Sequence, residues 1–178
     1  TPAAGGVGSL PVQMVGSRGA DLLIAAAGTD DKRQLAQSLG ADVTVDYTQP
    51  QWSEEVREVT GGRGVDIVYD LVGGSLAGSC LQALAGEGHL LFGALGRVDL
   101  DTSDLEEAFA QNQSIGGFAL LPLISRQSLK RDLAWLFDEV AYGRLRLLRG
   151  TTFALDKVAN AHRALESRAT VGKVVLVP

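Results

Sequence analysis

The residues best suited to chemistry stand at the start of the chain, where Thr1-Pro2-Ala3-Ala4-Gly5-Gly6-Val7-Gly8-Ser9 contains the spacing Ala3-x-Gly5-x-x-Gly8. This is a variant of the G-x-G-x-x-G fingerprint, with alanine in place of the first glycine. Small residues there let the chain turn tightly, let backbone N–H groups approach a pyrophosphate, and let the next helix pack close to the sheet. A helix starting near Val7 turns its positive end toward phosphates. A ligand-free strand-to-helix turn has the same composition, so the motif needs its context. Elsewhere there is little for acid–base or metal chemistry to use. His89 and His162 are the only histidines; one opens a strand, the other sits in a charged helix, and both read as structural or solvated. Cys80, the only cysteine, reads as a small buried hydrophobe in a helix. Neither a nucleophile triad nor a metal-ligand spacing occurs, and Glu106-Glu107 and Asp138-Glu139 read as solvated helix faces. No catalytic residue and no metal ligand is assigned, which suits a reaction whose chemistry a cofactor carries.

The elements that position the glycine turn follow from hydrophobic periodicity. A helix is predicted over 7–18, with Pro11 tolerated in its first turn. The apolar run over 21–27 reads as a parallel strand covered on both faces. Thr29 or Asp30 caps a helix that Gly40 stops, and 42–47 alternates as a strand. A helix over 51–60 turns Trp52 and Val56 inward, and 64–73 is a strand. A helix over 75–85, a Gly86-Glu87-Gly88 turn and a strand over 89–93 come next. Residues 103–110 read as helix, 114–121 as strand, and 128–142 as a long helix with Leu129, Leu133, Leu136, Phe137 and Val140 on one face. An extended piece at 151–153, a helix over 155–167 and a strand over 173–178 complete the chain. Strands alternating with helices at this spacing predict βαβ units in a Rossmann-type, doubly wound parallel sheet, an α/β fold. A first strand should precede the glycines, and Thr1-Pro2 supply at most its end. The chain therefore reads as a piece of a longer protein.

Composition narrows the function classes. The 178 residues are 46% hydrophobic and 21% charged, with net charge −5, so one domain with a substantial core is expected. The acidic balance, without a basic run, argues against nucleic acid or an anionic membrane as partner. No apolar run reaches the roughly 20 residues needed to span a bilayer. A single cysteine permits no intrachain disulfide and fits a reducing cytoplasm.

With these elements in place, a family resemblance emerges. Ala3-Ala4-Gly5-Gly6-Val7-Gly8-Ser9, Ala41-Asp42-Val43-Thr44-Val45-Asp46-Tyr47, Gly62-Arg63-Gly64-Val65-Asp66, Asp70-Leu71-Val72-Gly73, Phe92-Gly93-Ala94 and the stretch from Ala161 to Lys173 occur in order. Together they resemble the cofactor-binding half of the NADPH:quinone oxidoreductases (zeta-crystallin-like) of the medium-chain dehydrogenase/reductase superfamily. The resemblance implies an additional N-terminal, chaperonin-10-like domain outside these residues, with substrate bound in the cleft between the two. It implies hydride transfer from NADPH to a quinone or α,β-unsaturated carbonyl, a small-molecule substrate, and a homodimer formed through the edge strand near 114–121.

An acidic residue about 20 positions after the fingerprint commonly holds the ribose 2′-OH of NAD. Here Ala27-Gly28-Thr29 stands in that region, which removes a repulsion against the 2′-phosphate of NADP. Lys32 lies within one turn and supplies a point charge. The resemblance places Lys32, Tyr47 and Arg168 together on that phosphate with Thr29 in the ribose region, Gly5, Gly6 and Val7 on the pyrophosphate, Phe92, Gly93 and Phe118 along the nicotinamide, and Val72 near the cofactor's other flank. Each has a plainer role available: solvated lysine, strand-end tyrosine, surface arginine, core phenylalanine. Asp30 and Asp31 read as helix-capping acids; turned toward the ribose, either would favour NAD. Two alternatives stand beside the reductase: an enoyl-thioester reductase of the polyketide or fatty-acid type, and a non-catalytic NADPH-binding or structural protein. Zinc alcohol dehydrogenases differ from the Ala-Ala-Gly-Gly-Val-Gly form, and their metal ligands mostly lie in the domain outside this chain.

Overall fold

Strands and helices alternate along the chain as the periodicity requires. The computed structural model describes residues 3–93, 98–148 and 150–178, so Thr1, Pro2 and Ala94 lie outside the described residues. The order is α1 (Ser9–Gly16), β1 (Ile24–Ala26), α2 (Asp30–Ser38), β2 (Val43–Val45), α3 (Trp52–Val59), β3 (Val65–Asp70), α4 (Leu76–Gln82), β4 (Leu84–Phe92), α5 (Thr102–Ala110) and β5 (Ser114–Gly117). Then come α6 (Arg126–Ala141), β6 (Thr152–Ala154), α7 (Val158–Glu166) and β7 (Val175–Val177). The pairings β3–β4, β4–β5 and β6–β7 are all parallel. Two compact units result: residues 45–125, and residues up to 44 together with 126–178. Among the described residues no helix is long and apolar enough to cross a membrane.

In the unit of residues 45–125 the strand order is β3-β4-β5. Leu84 and Leu90 of the central strand are fully buried, with Trp52, Val56, Ala77, Cys80 and Leu81 of α3 and α4 in the same unit's core. Arg57 donates to the carbonyls of Gln82 (3.0 Å), at the end of α4, and of Leu84 (2.9 Å), at the start of β4. On the other face Ile67 and Leu91 stay exposed, at 59% and 39%. A reciprocal capping box starts α5: Asp101 accepts from the N–H of Asp104 (2.9 Å), and Asp104 accepts from that of Asp101 (3.0 Å).

Two expectations change here. The predicted Gly86-Glu87-Gly88 turn is instead part of β4. Val65 pairs with Leu84 and Ile67 with His89, so 85–88 bulge out of the ladder and the strand resumes in register. Glu87 takes φ 64° and donates to the carbonyl of Gln111 at 2.9 Å. A Cβ on Gly88 would stand 2.9 Å from the Ala85 carbonyl oxygen, which explains the glycine. The predicted edge strand over 114–121 ends at Gly117. Pro122 lies in a short 3₁₀ turn, Leu121–Leu123, and its missing N–H suits a turn better than a ladder.

In the other unit β1 pairs with β2. Ala3, Val12, Ala25, Ala36, Leu39 and Ala41 form a small-residue core, with Leu23, Leu35 and Leu148 against it. The first helix is shorter than 7–18 because residues up to Gly8 are spent on the turn and Gly19, at φ 82°, closes the other end. Gln13 ties α1 to the segment after α6: its Nε2 donates to the Arg146 carbonyl (3.0 Å), and its Oε1 accepts from the Arg146 N–H (2.8 Å). α6 buries none of its residues.

Candidate functional site

The glycine turn is built against two other backbones of its own unit. Ala3 donates to the Ala26 carbonyl (3.1 Å) at the end of β1, and Gly172 donates to that of Ala4 (3.0 Å). Gly5 and Gly172 form an isolated parallel bridge. A Cβ on Gly6 would lie 3.0 Å from both the Gly172 carbonyl oxygen and Cγ of Lys173. Position 6 is therefore restricted by the chain itself as well as by any pyrophosphate. Ser9 donates to the Gly5 carbonyl (3.1 Å), opening α1 directly after the turn. Val7 projects at 53% exposure. Lys173 Nζ donates to the Gly6 carbonyl (3.2 Å), a cation at the turn that the sequence did not flag.

The turn after β1 carries the residues expected to recognise the ribose. The hydroxyl of Thr29 caps α2 by accepting a long bond from the Lys32 N–H (3.4 Å). Lys32 Nζ donates to the backbone carbonyl of Arg168, 136 positions away. An ammonium has three donors, so this contact fixes its position while leaving capacity for an anion. Arg168 follows α7 at φ 55°, in the left-handed conformation that usually falls to glycine after a helix. Backbone strain of this kind at a non-glycine residue concentrates at functional positions. Lys32 and Arg168 are thus brought together, with Thr29 in the same helical turn. The remaining donors of the Lys32 ammonium suit a phosphate. Of the two acids in the first turn of α2, Asp30 pairs with Arg33, which donates in addition to the Ala27 carbonyl (3.1 Å).

In the unit of residues 45–125, Val72, Phe92, Gly93 and Phe118 gather at the carboxyl ends of β3, β4 and β5, where open α/β sheets bind ligands. Asp70 pairs with Phe92 and Phe92 with Gly117. Gly93 donates to the Asp70 carbonyl and Phe118 to the Phe92 carbonyl, each at 2.8 Å. Phe118 meets Tyr69 edge to face, centroids 6.2 Å apart at 86°. A Cβ on Gly93 would come within 2.7 Å of Leu71 Cδ2, so a side chain there would displace Leu71. Tyr47 lies two residues beyond β2, because Asp46 Oδ1 accepts from the Thr48 N–H (3.0 Å) and hydroxyl (2.7 Å) in an Asx-type turn.

Asp70 is the residue that sequence reasoning missed in this cluster. Only 2% exposed, its carboxylate accepts from the N–H of Val72 (2.7 Å) and of Gly73 (3.1 Å to each oxygen). It therefore sets the turn that carries Val72. The available signal was an acid closing an apolar strand just before Leu-Val-Gly-Gly. Cys80 shares its surroundings: burial, and next the Asp70 charge, push its thiol up to about 12, so it is not a nucleophile near neutral pH. His89 meets the Ser114 hydroxyl across the β4–β5 pair, and His162 is exposed on α7.

The chain belongs to the zinc-binding dehydrogenase family, whose description matches residues 39–176. It is 32% identical to the 2-haloacrylate reductase of a Burkholderia species, over 99% of this chain and 54% of that protein. The quinone oxidoreductase of Salmonella typhimurium is also 32% identical, over 99% of this chain and 55% of the relative. Among solved structures, Escherichia coli quinone oxidoreductase complexed with NADPH matches at TM-score 0.89 and 30% identity, over 99% of this chain and 55% of that one. The fold is therefore Rossmann-type α/β, and the chain spans about half the length of these relatives. The family description names zinc, yet among the described residues no group of three or more His, Cys, Asp or Glu side chains is placed to hold a metal ion.

Proposed function

We propose that this member of the family carries the NADPH-binding half of an oxidoreductase that moves hydride from NADPH to a quinone or an α,β-unsaturated carbonyl. The observation that carries the reading is the Lys32 ammonium held on the Arg168 carbonyl, in a turn where Ala27-Gly28-Thr29 stands in the region expected of a ribose-binding acid. In this reading Lys32, Thr29 and Arg168 recognise the 2′-phosphate, and Gly5, Gly6 and Val7 border the pyrophosphate. Tyr47, Val72, Phe92, Gly93 and Phe118 are assigned as further cofactor contacts. The nicotinamide supplies the hydride chemistry when bound. The protein's contribution is alignment and exclusion of water. The names of the relatives support the acceptor class, since quinones and 2-haloacrylates are both electron-poor conjugated systems.

Titration of the full-length protein with NADPH and NADH, read by cofactor fluorescence, tests the reading. NADPH should bind more tightly, and Lys32→Ala should weaken NADPH about tenfold, the loss of one phosphate-facing charge, while leaving NADH nearly unchanged. Equal affinities for the two cofactors would sink it, and binding of neither would hand the chain to a structural role.

We infer further a homodimer in the cytoplasm, paired through β5. That strand stands at one end of the β3-β4-β5 order, with Ile115 in it 39% exposed, an edge of the kind that takes a partner strand. Light scattering at micromolar concentration should give twice the monomer mass; a monomer would refute the pairing.

A further inference from the structure

Four consecutive ionisable residues, Asp30-Asp31-Lys32-Arg33, follow the Thr29 cap. Their charges cancel only because Arg33 is present; without it the first turn of α2 is net negative. A carboxylate at the end of this strand is what normally turns NADP away, and a phosphate monoester carries nearly two negative charges at neutral pH. Here Ala27-Gly28-Thr29 follows the strand instead, and the nearest carboxylate is Asp30, the first residue of α2, its side chain 83% exposed. Arg33 deals with it from a defined position. Its guanidinium side chain, 20% exposed, donates through one nitrogen to the Ala27 carbonyl at 3.1 Å, and through another to Asp30. The planar fork reaches the strand end and the acid at once, which a lysine ammonium does less well. Lys32, the neighbour, is meanwhile held on the Arg168 carbonyl. The turn thus keeps Asp30 occupied and Lys32 in place.

We propose that Arg33 is a specificity-determining positioning residue, which pairs with Asp30 and so lets the turn accept the 2′-phosphate of NADPH. The inference rests on the reading that this turn receives NADPH. Arg33 acts through Asp30, not by touching the cofactor. Removing it exposes a carboxylate beside a near-dianion, within the Debye length of about 8 Å at physiological salt.

The test is a cofactor titration of the full-length protein as wild type, Arg33→Ala, and the double variant Asp30→Asn with Arg33→Ala. In low salt, Arg33→Ala should weaken NADPH by about five- to tenfold and leave NADH within about twofold. The double variant should recover NADPH affinity to within about twofold of wild type. The loss in the single variant should shrink in about 0.5 M salt. A purely structural role would lower both cofactors together and would not be rescued by Asp30→Asn; either result overturns the proposal. So does an Arg33→Ala protein that keeps its preference while the wild type shows one, which leaves the NADPH reading intact. A wild type without preference for NADPH overturns that reading and this proposal together.

Discussion

The two units meet one demand, a rigid surface at the ends of strands, by different means. At the carboxyl edge of β3-β4-β5, the ladder does the work: Asp70, Phe92 and Gly117 are register partners, and the candidate contacts sit within two residues of them. In the other unit the contacts join distant parts of the chain, Lys32 to Arg168 and Lys173 to Gly6, 136 and 167 positions apart. The first arrangement is as firm as the core beneath it. The second rests on exposed polar contacts, each worth little to stability. The geometry of the candidate contacts should therefore track folding stability in one unit and be nearly independent of it in the other.

Substitutions can break that contrast, beginning with the core. Leu90→Ala empties a fully buried position of the central strand and should cost about 2–5 kcal/mol in urea unfolding. A loss under 1 kcal/mol would mean that the ladder is not what holds this edge. Asp70→Ala strands the N–H groups of Val72 and Gly73 and should cost about 1–3 kcal/mol, with Asp70→Asn costing less because it keeps one acceptor oxygen. Cofactor affinity should fall together with stability in the Ala variant. Arg168→Gly marks the opposite extreme. Glycine relieves a left-handed strain of about 1–2 kcal/mol and gives back part of it as unfolded-chain entropy. Thermal unfolding should thus show stability unchanged or raised by up to about 1 kcal/mol, while NADPH affinity drops. If stability falls there, the two units do not differ as described.

What could be read from the sequence follows the same division. The Thr29 cap, the stop at Gly40 and the inward Trp52 and Val56 are local signals that appear in the structure, and the strand expected over 64–73 appears as Val65–Asp70, cut short by the turn that Asp70 caps. The bulge at 85–88 reads as a turn from sequence because glycines punctuate turns and bulges alike, and only the pairing of Val65 with Leu84 and Ile67 with His89 tells them apart. The edge strand was drawn too long because the apolar run continues past Gly117 while Pro122 forbids the ladder. Asp70 stands in the motif Asp70-Leu71-Val72-Gly73, but its role in the turn shows only once the N–H groups of Val72 and Gly73 are placed on its carboxylate. The meeting of Lys32 with Arg168 could not come from spacing at all. It came from family resemblance, since nothing in either segment encodes the other's position.

The contact between Lys32 and Arg168 also has a consequence in time. During synthesis, the first emerges from the ribosome long before the second. The α2 turn is therefore complete in its own hydrogen bonds, yet lacks the carbonyl that orients its lysine, until nearly all of residues 1–178 have been made. A nascent chain halted before Arg168 would have every glycine of the fingerprint and no anchored ammonium. Such a chain would have no hold on the Lys32 side chain by that route, and residues 3–44 must first fold on their packing alone.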